Sequence, residues 1–461
     1  MNLHTPTPSR VALRGDLLDF TATPEWAVVD SPAVRFRPDH WLLVEGGRIT
    51  GVQPGSQAPG AGWVQHDHRG QLLLPGFIDT HVHSPQIDMI ASYGAELLDW
   101  LSTYTFPAEM RFADPAVSEA GAARFLDALL ESGTTSAVVF PTVHKVSVDA
   151  LFAAASERGM RLITGKVLMD RNAPPALCDD VAGAERDCTD LIERWHGVGR
   201  NAYAVTVRFA PTSTPAQLAM AGTLCAAHPT AYMQTHLAEN RAEVEWVRAL
   251  FPEARSYLDV YARAGLLHPR SVLAHGIWLD DSDRAALRDS GAQIAHSPSS
   301  NLFLGSGLFD WQAAVQAQVK VSVASDVGAG TSLSMQRTLA DAYKVQALAG
   351  QRLTAWRALH GATRGAAEAL GLAHEIGSFD VGCTADVCAW HWSRGLVAER
   401  RDALAQQSQN LHERVFAWMT LSDERNLAAA YVAGVQRHGG AGTGAKAAPE
   451  AMPQSAQEVA R

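Results

Sequence analysis

The sequence predicts an α/β protein: a (β/α)8 TIM-like barrel with a small β-sandwich domain built from both chain ends. Three observations carry that prediction. Eight short apolar runs recur between residues 73 and 325, separated by stretches of helical periodicity, and alternating strand and helix implies a parallel sheet. Most of these runs end in His, Arg or Asp, and in a barrel of this kind the C-terminal strand ends surround the active site. The two ends of the chain instead mix β-rich runs with turn residues.

Taken in order, residues 1–74 form the first part of the small β domain. Short runs such as Trp41 to Glu45 are broken there by Gly46-Gly47 and Pro54-Gly55, a pattern of strands joined by turns. Residues 75–372 are the barrel. Its strands are predicted at LLPGFID before His81, at 136–140, 161–169, 202–207, 231–235, 271–274, 292–295 and 321–325. Between them lie stretches such as Pro115 to Glu131, whose apolar residues fall at three- and four-residue spacings, the repeat of one helix face. Residues 373–438 return to turn-broken β-formers, as in FDVGCTADVCAW at 379–390, and complete the small domain. The last stretch, 439–461, is rich in Gly, Ala and Pro with almost no bulky apolar residue; such a segment cannot bury enough surface to order itself.

The 461 residues comprise 47% hydrophobic and 19% charged residues, an ordinary balance for a globular protein. The formal net charge of -10 comes with no long basic run, which argues against nucleic acid as a partner and for a small neutral substrate. The N-terminus lacks the apolar stretch of a secretory signal, and no window approaches a membrane span, so the expected location is the cytoplasm. Cys178, Cys188, Cys225, Cys383 and Cys388 are odd in number and form no CxxC pair, which reads as free thiols.

The chemistry follows from the strand ends. His81 and His83 are two apart on a predicted strand, so their side chains point the same way. With His236 and Asp326 arriving from later strands, they make a three-nitrogen, one-carboxylate set suited to zinc or another borderline divalent ion. His66-Asp67-His68 repeats the spacing but precedes the barrel, so it is read as structural. A divalent ion lowers the pKa of bound water from 15.7 to about 7, and hydrolysis then needs a proton carrier. Glu239, three residues after His236, faces the same pocket if the chain turns helical there and is the general acid/base candidate. Asp326 doubles as ligand and proton acceptor, and His275, at the end of the sixth strand, either holds the attacking water, steadies the oxyanion-like intermediate or is a barrel-core histidine. His296 is either a supporting or a structural residue. Arg208, at the fourth strand end, cannot become a metal-bridging carbamylated lysine, so one ion is expected rather than two. Lys166 is a weaker candidate for that role. Arg208 is suited to donate hydrogen bonds to a substrate carbonyl.

The segments PGFIDTHVHSPQ (75–86), RFAPTS (208–213), HLAEN (236–240), AHGIWL (274–279), AHSPSSN (295–301) and SDVGAGTS (325–332) resemble the amidohydrolase superfamily, over about residues 10 to 435. Within it, ELLDWLSTYTFPAEMRF (96–112) is similar to the guanine deaminase family. The resemblance implies zinc, one ion per chain, bound by His81, His83, His236 and Asp326, with Glu239, His275 and Asp326 as catalytic groups. It implies that Gln86, Arg208 and Phe209 recognise a purine, that Trp100 and Leu101 lie near the pocket, and that His236 and Glu239 also touch the substrate. It also implies hydrolysis of guanine to xanthine and ammonia, and a homodimer. The rival readings are a relative acting on cytosine, a nucleoside or a triazine, and a catalytically silent barrel that binds a partner. The unrelated zinc deaminases signed by PCxxC are excluded, because that motif is absent.

Overall fold

Strand alternation and turn chemistry divide the chain between two sheets. The computed structural model describes residues 10–93 and 97–439. Of the tail read at 439–461, everything beyond Gly439 lies outside the described residues, as do residues 1–9.

The first sheet has seven strands and draws on both ends of the chain. From the N-terminal part come β1 (Arg10–Phe20), β2 (Val34–Glu45), β3 (Arg48–Pro54) and β4 (Val64–Pro75). The barrel strands follow: β5 (Phe77–His83), β6 (Thr134–Phe140), β7 (Arg161–Thr164), β8 (Val167–Leu168), β9 (Asn201–Val207), β10 (Tyr232–Leu237), β11 (Ser271–His275), β12 (Gln293–His296) and β13 (Lys320–Val323). The chain then returns with β14 (Val387–His391), β15 (Leu427–Val432) and β16 (Val435–His438). The first sheet runs β16-β15-β14-β4-β1-β2-β3. All its pairings are antiparallel except β1 with β4, and the ends meet where Cys388 of β14 faces Leu74 of β4. Leu13, Leu17, Leu42, Val44, Phe379, Val387 and Tyr431 fill its core; each such apolar side chain contributes about 1.5–3 kcal/mol on full burial. The His66/His68 pair belongs to this packing: both rings meet Tyr431 edge-on, and His68 Nε2 lies 2.8 Å from its hydroxyl.

The second sheet is parallel throughout, in the order β5-β6-β7-β9-β10-β11-β12-β13, with β8 also on β9. Asp326 N donates to His81 O at 2.9 Å and His83 N to Val327 O at 2.7 Å, which brings the end of the eighth position back to the first. Near the strand starts, Ile78, Val138, Ile163, Tyr232 and Val272 pack on Ala366 and Ala367 of the helix Arg364–Ala369 and on Leu370, which follows it. The opposite, C-terminal ends carry the ionisable residues.

One predicted strand is corrected. The run 161–169 breaks into β7 and β8 at Gly165-Lys166. A Cβ on Gly165 would stand 1.9 Å from the carbonyl oxygen of Ala204 in β9, so the neighbouring backbone approaches more closely than any side chain permits. Gly165→Ala is therefore expected to lower stability by about 1–3 kcal/mol through overpacking. Urea unfolding monitored by circular dichroism checks this; an unchanged midpoint would remove the close-approach argument.

Candidate functional site

His81 and His83 project from the end of β5, His236 from β10, and Asp326 follows β13. One ligand atom from each lies within 4.8 Å of the others. His81 Nε2 and His83 Nε2 stand 3.1 and 3.3 Å from Asp326 Oδ1, and His83 Nε2 is 3.2 Å from His236 Nε2. His236 Nδ1 donates to the backbone oxygen of Arg208 at 2.6 Å, which turns the other ring nitrogen inward. Phe140 closes the apolar side, its ring 4.8–5.0 Å from all three imidazoles. Burial keeps two of the rings neutral, pushing His83 down to about 3 and His236 well below the usual histidine range. Burial works to raise Asp326, but His81 and His83 outweigh it and hold the carboxyl well below its ordinary value. Neutral imidazole nitrogens converging on an ionised carboxylate form the donor set of a borderline divalent ion.

Three residues at these strand ends adopt left-handed backbone: Ala238 at φ 46°, His275 at φ 70° and Asp326 at φ 51°. Such conformations cost about 1–3 kcal/mol each and persist where surrounding contacts over-determine them, commonly at functional sites.

Ala238 corrects one expectation. Glu239 reaches the pocket not from a helix but through this left-handed turn; the helix Arg241–Leu250 starts after it. Asn240 caps that helix and Glu243 completes a capping box, a pattern in which the two residues satisfy each other's backbone donors. Glu243 Oε2 accepts from the N–H groups of Glu239 (2.9 Å) and Asn240 (3.1 Å), and its Oε1 from Tyr257 Oη at 2.7 Å. Glu239 Oε1 accepts from Ser306 Oγ at 3.0 Å, while Oε2 lies 3.4 Å from His275 Nε2. Burial, with Asp326 nearby, pushes Glu239 up to about 8. Burial beside Glu239 pushes Glu243 up to about 7. His275 donates from Nδ1 to Asn301 Oδ1 at 2.9 Å, so Nε2 faces Glu239 and Asp326, the latter at 3.8 Å.

The same cavity has a second wall. Gln86, Trp100, Leu101, Arg208 and Phe209 line it together with His83, His236, Glu239, Glu243, His275 and Asp326, and Leu304 and Ala329 complete it. Including its mouth it encloses about 430 Å³, within the range of about 300–1,000 Å³ typical of small-molecule sites. Arg208 is buried, and its Nη1 lies 2.7 Å from both carboxylate oxygens of Glu109. Phe209 packs edge-on against Trp246, and Trp100 packs with Met89, Leu304 and Ala329. Leu101 opens a π-helical turn, Leu101–Thr105.

The sequence-derived candidates thus line one cavity, apart from His81, which joins it through the donor cluster, and from His296 and Lys166. His296 is fully buried against Phe309 and Trp311, and its ring nitrogens have no hydrogen-bond partner among the described residues. Lys166 is paired with Asp179, away from the cavity. Sequence reasoning missed Glu109, Glu243, Asn301 and Ser306. Glu243 had a signal in the Asn-x-x-Glu spacing before an apolar periodic run, and Asn301 closes the AHSPSSN segment. Glu109 falls within the quoted 96–112 segment, though nothing there singles it out, and Ser306 had no signal.

The amidohydrolase family model matches residues 72–436. The guanine deaminase of Escherichia coli strain K12 is 43% identical over 427 residues, covering 92% of this chain and 96% of that protein. The solved structure of E. coli guanine deaminase superposes with a TM-score of 0.88 at 42% identity, covering 93% of this chain and 99% of that one. Guanine deaminase from C. acetobutylicum, with guanine bound in its active site, superposes at 0.81 with 26% identity, over 93% and 99% of the two chains.

Proposed function

The chain belongs to the amidohydrolase family, and on that footing we propose that it is a hydrolase converting guanine and water to xanthine and ammonia, with one zinc ion per chain. The observation that carries this reading is that one cavity brings together a convergent imidazole and carboxylate cluster and the side chains of Arg208 and Gln86.

His81, His83, His236 and Asp326 would hold the ion. When bound it supplies an acidified water, with a pKa lowered to about 7, and charge stabilisation at the reacting carbon. The remaining work falls to side chains. Asp326, ionised in the cluster, accepts a proton from the attacking water. His275, fixed by Asn301, presents Nε2 to orient that water. Glu239, with its proton affinity raised to about 8, is suited to donate to a ring nitrogen, since general acids work best near the ambient pH. It then takes up the proton of the added hydroxyl as the carbonyl forms and passes it to the departing amine, while the proton taken by Asp326 restores Glu239 for the next cycle. Arg208 donates to the carbonyl of the base, and Gln86 and Phe209 complete its recognition, with Trp100 and Leu101 covering it. A base with an amino group in place of that carbonyl leaves guanidinium donors unpaired, a mismatch costing about 1–3 kcal/mol.

The test is ammonia release and the ultraviolet change on adding metal-assayed protein to guanine, with adenine, cytosine and a triazine in parallel. Conversion of guanine to xanthine, with the other compounds turned over at least about a hundredfold more slowly, is expected. A zinc-loaded protein that leaves guanine untouched and converts another member of the panel overturns the substrate.

A further inference from the structure

We propose that Glu109 is a positioning residue for substrate selectivity: it fixes the Arg208 guanidinium and the Gln86 amide, and cancels the arginine's charge, so that the cavity accepts a neutral oxopurine. The proposal rests on reading the cavity as the guanine site.

Glu109 lies on the helix Phe106–Met110 and is 0% exposed. Both its oxygens stand 2.7 Å from Arg208 Nη1, and Oε1 also accepts from Gln86 Nε2 at 3.1 Å. The other end of the Gln86 amide, Oε1, accepts from Gly328 N at 3.3 Å. This chain of bonds runs from the residue after β9, through the segment that follows β5, to the residue two beyond Asp326. Arg208 and Gln86 line the cavity and Glu109 does not. It therefore acts on a substrate only through them.

Stability alone is a poor reason for the arrangement, because a buried ion pair often adds little over an apolar replacement. Its geometric consequences are specific. With Nη1 engaged, Arg208 keeps only Nε and Nη2 as donors for the base, and with both ends of its amide engaged Gln86 cannot flip. Electrostatically, an arginine held by a buried carboxylate is a hydrogen-bond donor without net charge. An uncompensated guanidinium in the same place attracts anions strongly in so dry a site.

The experiment is steady-state kinetics of Glu109→Gln, which preserves shape and removes the charge, with zinc content and melting temperature measured alongside. KM for guanine is expected to rise about tenfold or more with kcat within about threefold, the pattern of lost binding common to ground and transition states. Inhibition by urate, an anionic oxopurine at neutral pH, is expected to tighten, a change that a merely structural role does not produce. A folded, zinc-loaded Glu109→Gln with wild-type KM and wild-type urate inhibition overturns the proposal. If that variant does not fold, Glu109→Asp keeps the charge but shortens the reach: a raised KM with urate inhibition unchanged supports the proposal, and a wild-type KM overturns it. Failure of the wild-type enzyme to deaminate guanine removes the underlying reading instead, so the two failures are distinct.

Discussion

Glu239→Gln is expected to lower kcat for guanine by about 10²–10⁴-fold, the range for loss of a general acid/base, while zinc content stays at the wild-type level. The amide fills the same volume and still accepts from Ser306 Oγ, now 3.0 Å from Glu239 Oε1. It cannot give up a proton and take it back. Glu239 contributes no atom to the four-residue donor cluster, so metal affinity is not at issue. Nor is folding, since burial and Asp326 already favour the uncharged carboxyl. Steady-state kinetics with metal analysis on the same preparation checks the prediction. Activity within about threefold of wild type, far short of the loss that a missing general acid produces, would take Glu239 out of the proton transfer.

The legible part of this protein is the part written in periodicity. Strand runs ending in His81, His236, His275 and Asp326 could be read because a parallel barrel puts every strand's C-terminus on one face, and the structure gathers these residues there. Sequence reasoning failed where a role depends on a contact between distant segments. Glu109 is 99 residues from Arg208 and Ser306 is 67 from Glu239, and no local pattern announces either pairing. The break between β7 and β8 was likewise illegible, because it answers to the backbone of Ala204 rather than to its own residues. The helical route expected for Glu239 failed for a local reason: Asn240 is a better cap than an interior helix residue, so the helix begins after it and a left-handed Ala238 does the turning. The His66/His68 decoy was separable from His81/His83 by context alone, since the spacing is the same and only one pair ends a barrel strand.

Removing the metal is expected to abolish turnover. In bulk water at neutral pH only about one molecule in 10⁹ is ionised, whereas a pKa near 7 makes about half of the bound water reactive. Even after allowance for its weaker nucleophilicity, loss of the ion should cost at least about 10³-fold in kcat. Chelated protein should recover on addition of zinc. His83→Ala should not, because it removes one of only four donors, and its partner atoms, His236 Nε2 at 3.2 Å and Asp326 Oδ1 at 3.3 Å, lose their neighbour. Stability should move with occupancy. A ligand bound only by the folded state stabilises it by about 4 kcal/mol at a thousandfold excess over its dissociation constant, so the melting temperature of wild type should fall on chelation, while that of His83→Ala should respond little. Metal analysis, melting curves and turnover on the same samples separate the possibilities. Full activity in metal-depleted wild type would end the hydrolytic metal role, whatever the donor cluster holds. A chelated protein that keeps its activity but loses melting temperature, and regains the latter with zinc, would keep the metal as a structural ion and move the source of the nucleophile to Glu239 and Asp326.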